Sequence, residues 1–564
     1  MCTRAPAAER PSPRASPGLV AALLAQGHPV SAAWWQWGVV YQVYPRSFQD
    51  TNGDGIGDLA GIEQHLDYLA DLGVDALWIS PMYPSPMADF GYDVADYCEV
   101  DPRFGTLADF DRLLSAAHAR GLKIILDYVP NHTSNRHPWF LESRSARTSP
   151  KRDWYLWRDA APGGGPPNNW ISDFGGPAWT WDEATGQYYA HAFLKEQPDL
   201  NWRNPEVQRA MFDVLRFWFA RGVDGFRIDV LWHIFKAADF RDNPPNPDYR
   251  PGRGEMHRVL QTCSTDQPEV HGVIAEMRRI ADRFGARVLI GEVCLPLERS
   301  MRYYGTDGEG IHLPFNFRLV DATPAQWTAA GLADLVGAYE AALPEGAWPN
   351  WVLGSHDAPR IAARRGDAQA RVAAMLLLTL RGTPTLYQGD ELAIGAVHVP
   401  AASVQDPREL REPGLGLGRD PSRTPMAWNA EGHAGFSSAL PWLPLHDDWP
   451  TRNVARMWAD RESTLSLYRR LLALRRAYPA LSRGEWSLLP VQGDVLGYVR
   501  GHGAQRLVVA LNLGATPQSF TLPAWAASAR VLLSTVPGDP SPPSSTTLHL
   551  RPDEGLILAP SLEA

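Results

Sequence analysis

Cysteine is scarce in this chain. Its 564 residues include four, Cys2, Cys98, Cys263 and Cys294. None forms a CxxC pair, so neither a disulfide framework nor a cysteine-bound zinc is expected. Long apolar runs are missing as well: none reaches the ~20 residues that span a bilayer. Nor is there a surplus of positive charge. The net charge is −10 and the isoelectric point lies near 5.9, which argues against a nucleic-acid or anionic-membrane partner. No internal repeat is evident.

Apolar residues make up 45% of the chain, and 22 residues are tryptophan. A large core is therefore available, together with many rings able to stack on a ligand with flat apolar faces, such as a sugar. The length implies about two to four domains. Residues 1–30 are rich in Ala, Pro and Arg, with a short apolar patch, GLVAALLA. They read as a tail on a cytoplasmic protein; an export signal is the alternative.

From Trp34 onward, short β-rich runs alternate with amphipathic helical stretches. The candidate strands are 39–45, 76–80, 123–129, 225–230, 287–293, 313–317, 350–357 and 383–391. Helical stretches such as LAGIEQHLDYLADLG and EVQRAMFDVLRFWFARG close on glycine, a common helix terminator. Eight such units predict an α/β fold, a (β/α)8 TIM barrel, over 31–131 and 202–480. A doubly wound open sheet is the alternative. The long Trp-rich interval 132–201 reads as an inserted loop domain after strand three. A second, irregular insert covers 393–453. Residues 485–564 alternate without helix and predict an antiparallel β-domain, a small sandwich.

Polar residues gather at the C-terminal ends of these strands, which share one rim in a barrel. In GVDGFRIDV, Arg227 and Asp229 lie two apart and so face one side of a strand, with Phe226 and Ile228 on the other. A cation beside Asp229 would keep it ionised and fit to act as a nucleophile. Glu292 follows the apolar run VLIG, where partial burial suits a proton donor. Asp357 ends strand seven beside His356, and His132 follows strand three, so distant segments supply these residues to one rim. Two carboxyls about 5–5.5 Å apart perform retaining glycoside hydrolysis.

The segments DYVPNH, GFRIDV, IGEV and GSHD resemble the four ordered motifs of glycoside hydrolase family 13, the α-amylase family. The resemblance implies Asp229 as nucleophile, Glu292 as acid/base and Asp357 as transition-state stabiliser. QPDLNW, VYQVYPRSFQDTNGDGIGDLAGI and RTPMAW are similar to the oligo-1,6-glucosidase and α-glucosidase branch. In that branch an Asp before GYD pairs with an Arg near RTPM and closes the pocket behind the terminal glucose. The matching positions are Asp89 and Arg423, with Arg419 as the alternative partner. Tyr92 would stack beneath the glucose. His132, His356 and Arg227 would complete the substrate contacts. Ser355 replaces the Asn found in many relatives; Val230, after the nucleophile, often accompanies tolerance of α-1,6 links in the branch, but the α-glucosidases this chain resembles can also carry Val there.

The loop Asp50-Thr-Asn-Gly-Asp-Gly-Ile-Gly-Asp58 carries oxygen donors at alternate positions, as an EF-hand loop does. Asp50, Asn52, Asp54, Asp58 and the Ile56 carbonyl are the expected ligands of a structural Ca²⁺, with Mg²⁺ as the alternative. The expected function is an exo-acting α-glucosidase on short oligosaccharides such as maltose, isomalto-oligosaccharides or sucrose. A glucosyl transferase or disaccharide isomerase on the same site is the rival; a non-catalytic relative of the family is the more distant one.

Overall fold

The computed structural model describes residues 33–560; the N-terminal tail and the question of export lie outside them. Eight parallel strands close into a barrel. They are β1 (Val40–Val43), β2 (Ala76–Ile79), β3 (Lys123–Tyr128), β4 (Gly225–Ile228), β5 (Val288–Gly291), β6 (Leu313–Asn316), β7 (Asn350–Val352) and β8 (Thr383–Tyr387). β8 pairs back onto β1, with Val40 opposite Thr385, so the sheet has no edge and the open-sheet alternative is excluded. All eight lie within the segments expected from the sequence. The seventh is shortened to three residues because the chain turns away at Leu353 to form the rim.

Strand alternation sorts the side chains. Tyr41, Leu77, Leu126, Phe226, Ile228 and Leu289 belong to the large core between barrel and helices. Val40, Trp78, Ile125, Ile290, Leu313 and Val352 form a separate cluster, on the opposite faces of those strands and hence inside the barrel. Moving two residues toward the C-terminal end, the interior changes from Val40 to Gln42, from Ile125 to Asp127, and from Gly225 to Arg227. All three polar side chains are buried. The top of the same column of side chains is thus a buried polar layer.

Helices fill the outer ring, among them Leu107–Ala119, Pro205–Arg221, Val270–Arg283 and Ile361–Thr379. Pro205–Arg221 shows how locally they are determined. Asn204 caps its first turn by accepting from the Glu206 N–H, Pro205 occupies the first helical position, and Gly222 ends it at φ +111°. Among the described residues, no helix is long and apolar enough to cross a membrane.

The interval after β3 carries a helix, Pro138–Ser143, and a small three-stranded antiparallel sheet in which Gln187–Ala190 lies between Trp157–Arg158 and Trp179–Asp182. The stretch after β8 is irregular, with short turns and one five-residue helix, Pro407–Arg411. Beyond Glu485 the chain forms a five-stranded and a two-stranded antiparallel sheet, packed over Val508, Ala510, Phe520, Leu548 and Leu556. The strand Gly555–Ala559 was not legible as one. Every residue in it is buried, since it sits between two neighbours in the sheet, so it shows no polar alternation to read.

Candidate active site

The acids are brought together by strand register. Asp127 on β3 stands opposite Arg227 on β4, and Ile228 stands opposite Gly291 on β5. Asp229 and Glu292, the next residue on each strand, therefore emerge side by side at the rim. Arg227 reaches all three carboxylates. Its Nη1 donates to Asp229 Oδ1 at 2.7 Å and Asp127 Oδ1 at 3.0 Å, and its Nη2 donates to Glu292 Oε2 at 2.5 Å. The guanidinium is buried between the rings of Trp78 and Tyr92, 5.1 and 5.9 Å from their centroids.

Burial pushes the Asp229 carboxyl well above its ordinary range. Arg227 opposes that shift, while Glu292, Asp127 and Asp357 reinforce it. Asp127 is pushed up to about 6, again by burial and against Arg227. The simple pairing read from Arg227-x-Asp229 thus becomes one cation shared among three anions. Each of these two acids keeps one oxygen uncommitted: no hydrogen bond reaches Asp229 Oδ2 or Glu292 Oε1 among the described residues, and both residues line the pocket. The second Glu292 oxygen also accepts from the Val230 N–H at 3.0 Å.

Asp357 faces them across the pocket. Its side chain is 37% exposed despite its depth in the fold, because it looks into the cavity. Burial alone would raise its carboxyl, but His356, Arg419, Arg423 and Arg227 together hold it well below the usual carboxylate range. His356 is fully buried behind it. Its Nε2 meets the Tyr92 hydroxyl at 2.8 Å and Asp357 Oδ2 at 3.1 Å, and its Nδ1 contacts Gln42 Nε2 at 2.7 Å. Both ring nitrogens are engaged by protein groups, and the ring packs behind Tyr92 and Asp357. Burial lowers its pKa to about 3, and that of His132 to about 4, so both imidazoles are neutral at physiological pH. His132 does line the pocket.

The cavity encloses about 240 Å³. Tyr92 forms part of its wall, with its ring parallel to His356 at 5.3 Å. One expectation is corrected here. Asp89 pairs with Arg419, not Arg423: Arg419 Nη2 donates to Asp89 Oδ1 at 2.7 Å. Arg423 lies deeper, donating from Nε to the His356 carbonyl at 3.0 Å and from Nη2 to Asp357 Oδ1 at 2.8 Å. The intervening turn Asp420–Ser422 sends the two arginines to different depths, and only Arg419 reaches the cavity wall. Asp406, buried in the second insert, holds Arg419 through its backbone N–H at 2.6 Å and its guanidinium at 2.6 Å. Arg419 also touches Asp357 Oδ1 at 3.2 Å.

Several wall residues were not singled out from the sequence: Phe174 and Phe193 from the first insert, Arg408 from the second, and Cys294 two residues beyond Glu292. Loop residues with no periodicity give no such signal. Asp127 was legible in principle, as a charge inside the apolar run KIILDYV.

The Asp50–Asp58 loop lies away from this pocket. Successive side-chain-to-backbone turns curl it: Asp50 Oδ1 accepts from the Asn52 and Gly53 N–H groups, Asn52 Oδ1 from Asp54, and Asp54 Oδ1 from Ile56. Gly55 takes φ +85°. Asp58 caps the following helix through Gly61 and also accepts from Thr51. The donor set is all oxygen at alternate positions, which suits a hard cation. As placed, however, no group of three His, Cys, Asp or Glu side chains is arranged to hold a metal ion among the described residues, and the loop's carboxylates serve its own amides.

Comparison with known proteins gives a consistent result. Residues 42–484 match the model of the alpha amylase catalytic domain, and residues 483–560 match a domain of unknown function, DUF3459. A "Probable alpha-glucosidase" of Rhizobium meliloti (strain 1021) is 43% identical over 505 residues, covering 87% of this chain and 91% of that one. An oligo-1,6-glucosidase of Heyndrickxia coagulans is 39% identical over 528 residues, covering 87% and 94%. Among solved structures, the alpha-glucosyl transfer enzyme XgtA is 41% identical with a TM-score of 0.89, and the trehalulose synthase MutB of Pseudomonas mesoacidophila MX-45 is 36% identical with a TM-score of 0.86. Each comparison covers 94% of this chain and 100% of the other.

Arg419→Ala strips Asp89 and Asp406 of their cation at once. We expect kcat/KM on maltose to fall about 10- to 100-fold, mainly through KM, as for loss of a charged hydrogen bond of about 1.5–3 kcal/mol. An unchanged KM would remove Arg419 from the ligand site.

Proposed function

The chain belongs to the α-amylase family and is a glycoside hydrolase; from that premise we propose that it is an exo-acting, retaining α-glucosidase on short α-glucosides. One observation carries this reading. A single guanidinium fixes one oxygen each of Asp229 and Glu292, leaving the other oxygen of each free beside one cavity. In the proposed reaction, Asp229 Oδ2 attacks the anomeric carbon while Glu292 Oε1 gives its proton to the departing glycosidic oxygen. Water, deprotonated by Glu292, then releases glucose from the ester on Asp229. Asp357, held ionised by its arginines, sits where positive charge develops on the sugar ring. The Asp89–Arg419 pair forms part of the cavity wall, and exo action is proposed because, in the branch this chain resembles, such a pair closes the pocket behind the terminal glucose.

A second reading uses the same site to pass glucose to a hydroxyl compound. It is favoured by the likeness to XgtA and MutB, whose names describe glucosyl transfer and trehalulose synthesis. The product profile on maltose and sucrose separates the two: mainly free glucose is expected, and a dominance of new disaccharides would replace hydrolysis by transfer. Asp229→Asn should lower kcat by at least ~10⁴-fold; near-normal turnover would sink the nucleophile assignment.

The acid limb of the rate profile follows from Asp229. Its carboxyl is raised by burial, so activity present at neutral pH is lost as pH falls through that raised value, above the ~3.9 of an ordinary aspartate. His132 and His356, at about 4 and 3, charge only at lower pH. Asp127→Asn removes a neighbouring anion and frees Arg227 for Asp229. The limb should move to lower pH, and a move upward would contradict the shared-cation account.

We also propose that Asp50, Asn52, Asp54, Asp58 and the Ile56 carbonyl hold a stabilising Ca²⁺, or Mg²⁺. Such an ion would brace the loop that binds the second insert, where Asp50 Oδ2 accepts from Ser437 at 2.5 Å. Chelation with EDTA should lower the melting temperature, and added Ca²⁺ or Mg²⁺ should restore it; an unchanged melting temperature counts against a bound cation.

A further inference from the structure

The turn that ends β4 holds Glu292 at three backbone points. The Glu292 N–H donates to the Ile228 carbonyl at 2.9 Å, and the Leu231 N–H donates to the Glu292 carbonyl at 3.2 Å. Between them, the Val230 N–H donates to the Glu292 side chain, at Oε2. Asp229 lies inside this same four-residue segment. The two working carboxyls are therefore held in register by one short stretch of backbone as well as by Arg227.

Val230 accomplishes this in an unusual conformation. Its φ and ψ are 35° and 47°, in the left-handed region. A β-branched side chain is a steric outlier there. Eleven non-glycine residues have positive φ among the described residues, and Val230 is the only β-branched one. Neither of its neighbours in the segment shares the conformation. Its side chain is buried in the main core cluster and lines the pocket, so packing holds it in place against that preference. Backbone strain maintained at a reaction site is characteristic of pre-organisation.

We propose that Val230 is a positioning residue for the acid: its left-handed turn aims its N–H at Glu292 Oε2, the oxygen that Arg227 Nη2 also holds, and the two donors together leave Oε1 as the oxygen that delivers the proton. This rests on the assignment of Glu292 as acid/base. In that step the Glu292 Oε1–H bond breaks and the proton goes to the glycosidic oxygen. The C1–O bond breaks toward that oxygen as Asp229 Oδ2 bonds to C1. With α-glucosyl fluoride, fluoride leaves without needing that proton, so first-turnover fluoride release bypasses the acid.

The experiment compares full-length protein carrying three changes, reading first-turnover release from maltose and from α-glucosyl fluoride. Glu292→Gln is the control: it should cut release from maltose far more than fluoride release. If it cuts both equally, the acid assignment itself fails. Replacing Val230 by its α-hydroxy analogue exchanges the N–H for an ester oxygen and keeps the side chain. We expect release from maltose to fall about 10- to 100-fold, the range for a hydrogen bond to a charged group, with fluoride release changed less than threefold. Val230→Gly keeps the N–H and tolerates the left-handed turn, so its ratio of the two rates should match the parent. With the control split intact, an equal loss on both substrates in the ester variant, or no loss on either, overturns the proposal. So does a ratio in Val230→Gly as disturbed as in the ester variant, which would assign the effect to the side chain.

Discussion

The site depends on one buried cation that is outnumbered. Arg227 sits between Trp78 and Tyr92 and binds Asp127, Asp229 and Glu292. One guanidinium cannot neutralise three carboxylates in a medium where charge is costly to bury. The shortage of positive charge shows in Asp127 and Asp229, both raised by burial. Acid/base catalysis by a carboxyl pair needs one proton and one charge in the same place, and two close carboxyls competing for one cation are a setting in which that division can arise. The opposite wall has the reverse balance: Asp357 faces Arg419 and Arg423 and stays charged. The pocket thus sets carboxyls short of positive charge on one side against a well-compensated anion on the other.

Part of the pocket wall comes from the irregular second insert. Asp406 is fully buried and spends its carboxylate on Arg419, which then spans to Asp89 on the loop after β2. The insert is tied to the barrel rim elsewhere too, by Ser437 on Asp50 and by the Phe436 carbonyl, which accepts from the Asp50 N–H. A segment with almost no regular structure is held by charged hydrogen bonds rather than by a ladder, and its ordering is part of the pocket's shape.

The sequence carried a great deal of this. Eight β-rich runs separated by amphipathic helices define the barrel, and a charge in each apolar strand end marked Arg227, Asp229 and Glu292. Less was legible where the chain leaves regular structure. Arg419 and Arg423 lie four residues apart beside one motif, and nothing in their identity tells which reaches Asp89; a single turn decided it. His356 was legible as a site residue through its neighbours, but its hydrogen bonds to Tyr92 and Gln42 were not. The oxygen-rich loop announced a cation by spacing, yet the same oxygens also satisfy the loop's own amides, and spacing does not separate the two uses.

Chain order and alternation alone determined the class of fold, the rim on which the acids stand, and their identities, because a two-residue period fixes which side chains share a face. The tertiary structure decided partnership. Closing the barrel set Asp127 opposite Arg227 and Ile228 opposite Gly291, turning a local Arg–Asp pair into a shared cation. It also placed Val230 in a conformation that its own side chain disfavours. Those outcomes depend on contacts between residues far apart in the chain, made only when the strands are in register, and a local pattern holds no information about them.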